Sequence, residues 1–366
     1  MKIGIITFHN ALNAGAVLQA YALQTFLQKQ GHTVEFINYC PPKHYTFRDF
    51  IAKSPSVIFN KWKDIYNEKK YYKQKDFNKV LHTGKIYTSF EELKKNPPIY
   101  DVYIAGSDQI WNFYTQLQPV YLLSFVPKDK KKIAYAASMG QCQLSENIYE
   151  AFKEHLLQFD AIGVRERNGA EFIQKLLGPH KNILQTIDPT LLLSKDLYFQ
   201  ITDTTISNKA PYICSYILVN LDKEDKQIIS YIRQATNKNI INLRNPSTCI
   251  YLKSAKNIIV TPYQWLSYIN QSDFVICSSF HAVVFSLIFH KPFIALVPPL
   301  SKNKGGNMRI NSLLENVSLT DRIVPHFNKN QIETIINQPI EWDKIDKQIK
   351  ELQEPSIKFL LNSLTQ

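Results

Sequence analysis

The sequence predicts an α/β protein made of two doubly wound halves that face each other across a cleft. Three observations predict it. The chain has 366 residues, more than one ordinary hydrophobic core accommodates. Short apolar runs alternate with amphipathic segments, the pattern of parallel strands joined by helices. The alternation lapses into a polar, aperiodic stretch at 196–209 and then begins again. The expected units are an N-terminal domain over 1–195, a C-terminal domain over 209–335, and a helical tail over 336–366 that packs back across both.

Each element has its own signal. "KIGIITF" (2–8) reads as a strand, "GAVLQAYALQTFLQKQG" (15–31) as a helix stopped by Gly31, and "HTVEFINY" (32–39) as a second strand. "DVYIAGSDQIW" (101–111) is a strand passing into a loop, and "KKIAYAASMG" (131–140) is another strand. "SENIYEAFKEHLLQFD" (145–160) has helical spacing. "AIGVRERNGAEFIQKLLG" (161–178) runs from strand into helix, and "NILQTIDPTLLLS" (182–194) closes the first half. In the second half "APYICSYIL", "KNIINL", "SDFVIC" and "KPFIALVPP" read as strands. "DKEDKQIISYIRQATN", "TPYQWLSYINQSD" and "RINSLLENV" read as helices. No repeat of 20–50 residues and no low-complexity tract interrupts the series.

Composition narrows the function classes. Hydrophobic residues at 45% and charged residues at 20% are those of a globular chain, and no apolar run approaches a membrane span. The apolar run near the N-terminus is too short for a signal-peptide core, so a cytoplasmic first strand is expected. The five cysteines, Cys40, Cys142, Cys214, Cys249 and Cys277, include no C-x-x-C pair, so neither a disulfide framework nor a zinc site is expected. The net charge of +12 favours anionic partners. Much of the excess sits in "KWKDIYNEKKYYKQKDFNK" (61–79), with seven lysines, three acids and five aromatics. As a helix this segment suits peripheral contact with a membrane face or a lipid-linked substrate, or else a solvated surface with its aromatics turned inward. No RNA-binding or helix-turn-helix signature is present, so no nucleic-acid partner is expected.

In doubly wound folds ligands bind at the carboxyl ends of the strands, and the polar motifs fall there. "CSSFHA" places Ser278, Ser279 and His281 between a buried strand and a helix start, where free N–H groups and hydroxyls form an anion cradle. His281 there can donate a proton or stabilise phosphate as a cation; the alternative is a capped helix with a silent histidine. In "GVRER", Arg165 is expected to enter the cleft and hold carboxylate or phosphate, with Arg167 on the surface and Glu166 pairing with one of them. Asp108, after Gly106 in "GSDQIW", can bind sugar hydroxyls, act as a base, or cap a helix. Asn13 and Gly15 form a polar loop before the first helix without dinucleotide-binding spacing. "SKNKGGNMR" (301–309) reads as a flexible glycine loop bringing Lys302, Lys304 and Arg309 toward an anion.

"NAGAVLQAYAL", "GSDQIWN", "YAASMG", "VRERNGAEFI", "TIDPTLLL" and "CSSFHAVVFSLIFHKPFI" stand in the order seen in the polysaccharide pyruvyl transferase family, which the chain resembles over about residues 1–325. The resemblance implies two Rossmann-like domains in a glycosyltransferase-B-like arrangement, with the acceptor on the N-terminal side and the donor on the C-terminal side. It further implies transfer of a pyruvyl group from phosphoenolpyruvate to a sugar of a bacterial surface polysaccharide, such as an exopolysaccharide or capsule of the cell envelope, or its lipid-linked oligosaccharide precursor. His281 matches the family's histidine at the second-domain strand end, and Arg165 its arginine after the first-domain strand. Many members carry an arginine two residues before that histidine. Here the position is Ser279, so one cation near the donor is missing, and Arg309 or Lys304 is the candidate to supply it.

Ketal formation from an enol phosphate needs a proton on the methylene carbon, support for an oxocarbenium-like centre and charge support for departing phosphate. On this reading His281 is the acid or phosphate ligand, Arg165 and Arg309 hold the donor, and Asp108 orients or deprotonates the acceptor. No metal and no cofactor are expected. Two other readings fit the same residues: a glycosyltransferase using a nucleotide sugar, and a non-catalytic anion- or glycan-binding protein.

Overall fold

The computed structural model describes residues 1–11, 13–41, 80–113, 116–140, 142, 144–179, 181, 183–207, 210–245, 250–297 and 308–365. Segment 61–79 and Lys304 therefore lie outside the described residues, as do Cys249 and most of the 301–309 stretch.

Along the first half come β1 (Lys2–Ile6), α1 (Ala14–Lys29), β2 (Thr33–Tyr39), β3 (Thr83–Tyr87), α2 (Phe90–Lys95), β4 (Val102–Ala105), β5 (Lys131–Ala137), α3 (Glu146–Leu156), β6 (Ala161–Val164), α4 (Arg167–Leu177), β7 (Ile183–Gln185) and α5 (Lys195–Phe199). The second series is β8 (Tyr212–Tyr216), α6 (Lys223–Thr236), β9 (Asn239–Arg244), β10 (Lys256–Ile259), α7 (Pro262–Gln271), β11 (Phe274–Cys277), α8 (Phe280–Ile288), β12 (Phe293–Ala295), α9 (Met308–Asn316), α10 (Lys329–Asn337) and α11 (Trp342–Thr365).

Among the described residues every strand pairing is parallel. The first sheet runs β3-β2-β1-β4-β5-β6-β7 and the second β10-β9-β8-β11-β12. Strand order reverses between β1 and β4 in one sheet and between β8 and β11 in the other. Those switch points open crevices at the carboxyl ends, where ligands bind in such folds. Central strands β4, β8 and β11 are buried throughout, which is why they read as continuous apolar runs. Helix ends follow local chemistry. Gly178 takes φ 73° and stops α4, while Thr261 and Gln264 cap α7 reciprocally ahead of Pro262.

One apolar core spans both halves. It joins Ile3, Ile5 and Leu18 of the first half, through Leu191–Leu193, to Trp265, Val283 and Phe285 of the second and Leu360 of the tail. α1 is buried on nearly every side because it lies between the first sheet and the second half. Shared apolar burial of this kind sets the relation between the halves far more firmly than a wet interface. The tail crosses the junction. At its start Trp342 stacks on His290 with ring centroids 4.9 Å apart, and farther along Ser356 Oγ accepts from Ile187 N at 3.1 Å. Lys131 Nζ donates to Leu364 O at 3.2 Å near its end.

Three expectations are corrected. The stretch 196–209 is not uniformly polar linker, because α5 covers its start: Tyr198 is fully buried against Phe285, and Phe199 stacks on Phe289. Gly15 lies inside the first turn of α1, and Asn13 is its N-cap, accepting from Gly15 N at 3.0 Å. Arg309 sits in the first turn of α9 and not in a loop.

Leu360 is fully buried where the tail meets the shared core. Leu360→Ala should lower unfolding free energy by about 2–5 kcal/mol in a denaturant titration. A loss below about 1 kcal/mol would mean that the tail rests on the halves without being packed into them.

Candidate active site

The carboxyl ends of the two sheets meet around one carboxylate, Asp188, just beyond β7. Thr190 N and Thr190 Oγ1 donate to Asp188 Oδ1 at 3.0 and 2.6 Å. On the other oxygen, Arg165 Nη1 donates to Oδ2 at 2.7 Å, Ser107 Oγ stands at 3.3 Å, and His281 Nε2 lies 3.5 Å away. Arg165 follows β6 in the first half, and His281 lies in the first turn of α8 in the second. A guanidinium and an imidazole from opposite halves thus share one oxygen.

All three side chains are buried: Asp188 is 1% exposed, His281 4% and Arg165 5%. Burial works against ionising Asp188, but the charge and contact of His281, followed by Arg165 and the Thr190 hydroxyl, hold its carboxyl far below the usual carboxylate range. Burial likewise opposes the charge on Arg165, and Glu166, Asp188 and Asp108 together raise its pKa above the ordinary arginine value. Arg165 Nε lies 3.3 Å from Glu166 Oε1, and Nη2 is 4.0 Å from Asp108 Oδ1. Nη2 has no hydrogen-bond partner among the described residues. A buried guanidinium with an idle donor is costly unless something outside the chain takes it up.

Phe280 supplies a platform. Its ring centroid lies 4.5 Å from the guanidinium carbon of Arg165 and 5.9 Å from that of Arg309. Arg309 keeps part of its surface open to solvent. Burial and the neighbouring Arg165 pull its pKa down to about 10, so it remains a cation at neutral pH. With its amide oxygen turned toward Arg309, Gln109 accepts from Arg309 Nη2 at 3.0 Å and Nε at 3.1 Å.

Other predicted residues fall around this cluster. Asp108 follows β4 with φ 68°, begins no helix, and accepts from Gln109 N at 2.8 Å, which removes the capping alternative. Asp108, beyond the end of β4, and Ala136, buried in the neighbouring β5 at φ 49°, both take the left-handed backbone region. Ser278 Oγ accepts from Leu218 N at 2.9 Å, tying β11 to the loop after β8 at the second switch point. Ser279 is the N-cap residue of α8, buried, and its hydroxyl makes no capping bond. Arg167 is exposed and paired with Glu171 at 3.0 Å. Among the described residues no group of three or more His, Cys, Asp or Glu side chains is placed to hold a metal ion.

Gly15 has a function that its sequence context did not reveal. A Cβ built there would stand 2.3 Å from His281 Cγ and Nδ1, so the imidazole lies directly against the first turn of α1. Asp188 was missed as a site residue too. The available signal was its place in "TIDPT", an acidic residue before proline at the carboxyl end of a strand, the position occupied by the other motifs. Buried support comes from Ser107, whose N–H donates to Gln19 Oε1 at 3.2 Å, and from Thr7, whose Oγ1 donates to Ser107 O at 2.8 Å. A small cavity of about 70 Å³ opens beside Arg165, Asp188, Phe280 and Arg309. A groove of about 420 Å³, lined by Lys226, Arg233, Tyr251 and Lys253, lies on the outer flank of the second half, beside α6.

In most helices Gly→Ala stabilises by about 1 kcal/mol. For Gly15→Ala the sign should reverse, because the methyl group must displace His281: the melting temperature should fall and the His281 ring resonances should shift. An unchanged or higher melting temperature would show that the ring is not seated on α1.

Among solved structures, S. aureus MnaA with UDP is 12% identical with TM-score 0.53, covering 100% of this chain and 98% of its own. An Arabidopsis thaliana protein complexed with UDP-L-rhamnose is 10% identical with TM-score 0.54, covering 100% and 98%. The UDP-GlcNAc 2-epimerase from Neisseria meningitidis bound to UDP-GlcNAc is 10% identical with TM-score 0.51, covering 99% and 100%. At such identities the likeness establishes the fold, two Rossmann-like domains in the glycosyltransferase-B-like arrangement. No curated protein matches the sequence. The profile of the family described as polysaccharide pyruvyl transferase matches residues 13–298, a span that holds Asn13, Gly15, Asp108, Arg165, Asp188 and His281, and the chain is therefore a transferase belonging to that family.

Proposed function

We propose that the protein transfers the pyruvyl group of phosphoenolpyruvate to a sugar of a bacterial surface polysaccharide or its lipid-linked precursor. The observation that carries the reading is the unpartnered Arg165 Nη2, buried next to Asp108 in the cleft that also holds His281 and Arg309. A donor with a carboxylate and a phosphate offers acceptors for two guanidiniums held on either side of a reacting carbon. Arg309 supports the reading further, because it supplies a cation near the place where Ser279 replaces the arginine common in the family.

In the reaction the methylene carbon of the donor gains a proton and becomes a methyl group. One sugar hydroxyl oxygen bonds to the central carbon and gives up its proton. The carbon–oxygen bond to phosphate then breaks, and a second hydroxyl of the same sugar closes the ketal. Two hydroxyl protons leave the sugar; one is accounted for in the new methyl group and the other departs with phosphate. His281 moves protons or meets the leaving phosphate, Arg165 and Arg309 hold the anionic groups, and Asp108 orients or deprotonates the acceptor. Asn13, Gly15, Ser278 and Ser279 belong to the donor surroundings on this reading. Work at the cytoplasmic face of the membrane fits the +12 charge and the basic composition of 61–79, which lies outside the described residues, and no helix among the described residues is long and apolar enough to cross a membrane. The cation pair in the cleft would equally meet a nucleotide diphosphate, which keeps a nucleotide-sugar donor as the second reading.

Phosphate release from phosphoenolpyruvate in the presence of a panel of lipid-linked sugars should be detectable, and His281→Ala should slow it by about 10²–10⁴-fold. Arg165→Lys should raise the donor KM at least tenfold, because one ammonium cannot hold Asp188 and Glu166 and still present a donor to the ligand as Nη2 does. Release of phosphate from no acceptor, together with stabilisation by uridine or guanosine diphosphate sugars alone, would replace this reading with the second.

A further inference from the structure

We infer that Asp188 is a positioning residue that decides which nitrogen of His281 takes part in chemistry. The inference rests on the reading above for what His281 acts upon, but not for how its ring is held. His281 Nε2 is closed off from solvent, makes no hydrogen bond among the described residues, and has Asp188 Oδ2 facing it at 3.5 Å. Its other nitrogen, Nδ1, lies along the first turn of α1 above Gly15, at the junction of the two halves. With Nε2 turned toward Asp188, Nδ1 is the nitrogen left over for a reactant. An anionic oxygen opposite Nε2 favours the ring form that carries its proton there, and this leaves the lone pair of neutral His281 on Nδ1. Contacts of this kind are often long without ligand and tighten when substrate seats.

The carboxylate is itself unable to turn. Thr190 occupies Oδ1 with two hydrogen bonds, while Arg165 occupies Oδ2 beside the imidazole. Thus one oxygen sets both the cation that grips the donor and the ring that moves the proton. The other charged or titratable groups that act on the Asp188–Arg165 pair are Glu166 and Asp108 from the strand ends of the first half, Arg309 from α9, and the buried hydroxyls of Tyr135, which has no partner among the described residues, and Tyr198. Sequence alone cannot assign this role, since Asp188 and His281 are separated by most of the second half.

Histidine side-chain nitrogen spectroscopy tests the inference without any substrate. In protein labelled with ¹⁵N-histidine, with the His281 signals assigned by their loss in His281→Gln, the neutral ring should show the pattern of a protonated Nε2. Asp188→Asn keeps the shape of the side chain but presents an amide that can donate to Nε2, so the His281 pattern should move toward protonated Nδ1. Thr190→Val removes the hydroxyl bond to Oδ1 and leaves Oδ2 in place. It should lower the melting temperature while keeping the Nε2–H pattern. With substrate, Asp188→Asn should lower kcat by about 10²–10⁴-fold and change KM less. A wild-type ring protonated on Nδ1, or an Asp188→Asn spectrum identical to wild type, would overturn the inference. Absence of phosphate release in the wild-type protein would sink the proposed reaction instead, and would leave the spectra to decide the role of Asp188.

Discussion

The interaction on which the structure turns is the buried carboxylate of Asp188, which holds a guanidinium from its own half and faces an imidazole from the other. Removing a carboxylate and a guanidinium from water costs several kcal/mol per ion, and their attraction offsets that only when the remaining lone pairs and protons are also satisfied. Here Thr190 satisfies one oxygen of Asp188 and Arg165 the other, Ser107 Oγ donates to Ala136 O at 2.8 Å with Asp188 as its longer second acceptor, and Glu166 takes one edge of Arg165. The exception is Nη2, left without a partner at the point where the two sheets open. Partnered through Nε and Nη1 and idle on Nη2, Arg165 is the residue on which the proposed anion-holding role rests.

Such a site requires the halves to stay in register, and the packing supplies that. Because α1 is buried between the first sheet and the second half, its first turn can press on His281 through Gly15. α5 adds Tyr198 and Phe199 to the same seam, and α11 binds the outside of it. Imidazole, guanidinium and carboxylate then keep their spacing without help from a ligand, the preorganisation that electrostatic catalysis depends on.

Much of this architecture was legible in the residues, for physical reasons. Central parallel strands are covered on both faces, so β1, β4, β8 and β11 appear as unbroken apolar runs and their ends locate the polar motifs. Edge elements carry weaker signals. β3, "TGKIY", alternates little and exposes most of its residues, and β10, "KNII", is likewise half open, so neither has an apolar run to announce it. α2 is six residues long and gives no helical period. The helix α10 has one short apolar stripe, "IETII", that local pattern did not separate from loop. At the site, Arg165 and His281 stood out because charged and polar groups interrupt apolar junctions. Asp188 did not, because an Asp-Pro step is ordinary turn chemistry until the fold brings a second half against it. Gly15 was misplaced in a loop for a related reason: a glycine within a helix is explained only by what comes close to it.

The central claim is that a donor's carboxylate and phosphate lie in the interdomain cleft between Arg165, Arg309 and His281. A crystal structure of the protein with bound phosphoenolpyruvate tests this most directly. The account predicts density for the donor within hydrogen-bonding distance of Arg165 Nη2, with the guanidinium of Arg309 and the ring of His281 at its edge. Density confined to the outer groove of Lys226, Arg233 and Lys253, with Arg165 Nη2 still unpaired, would contradict it.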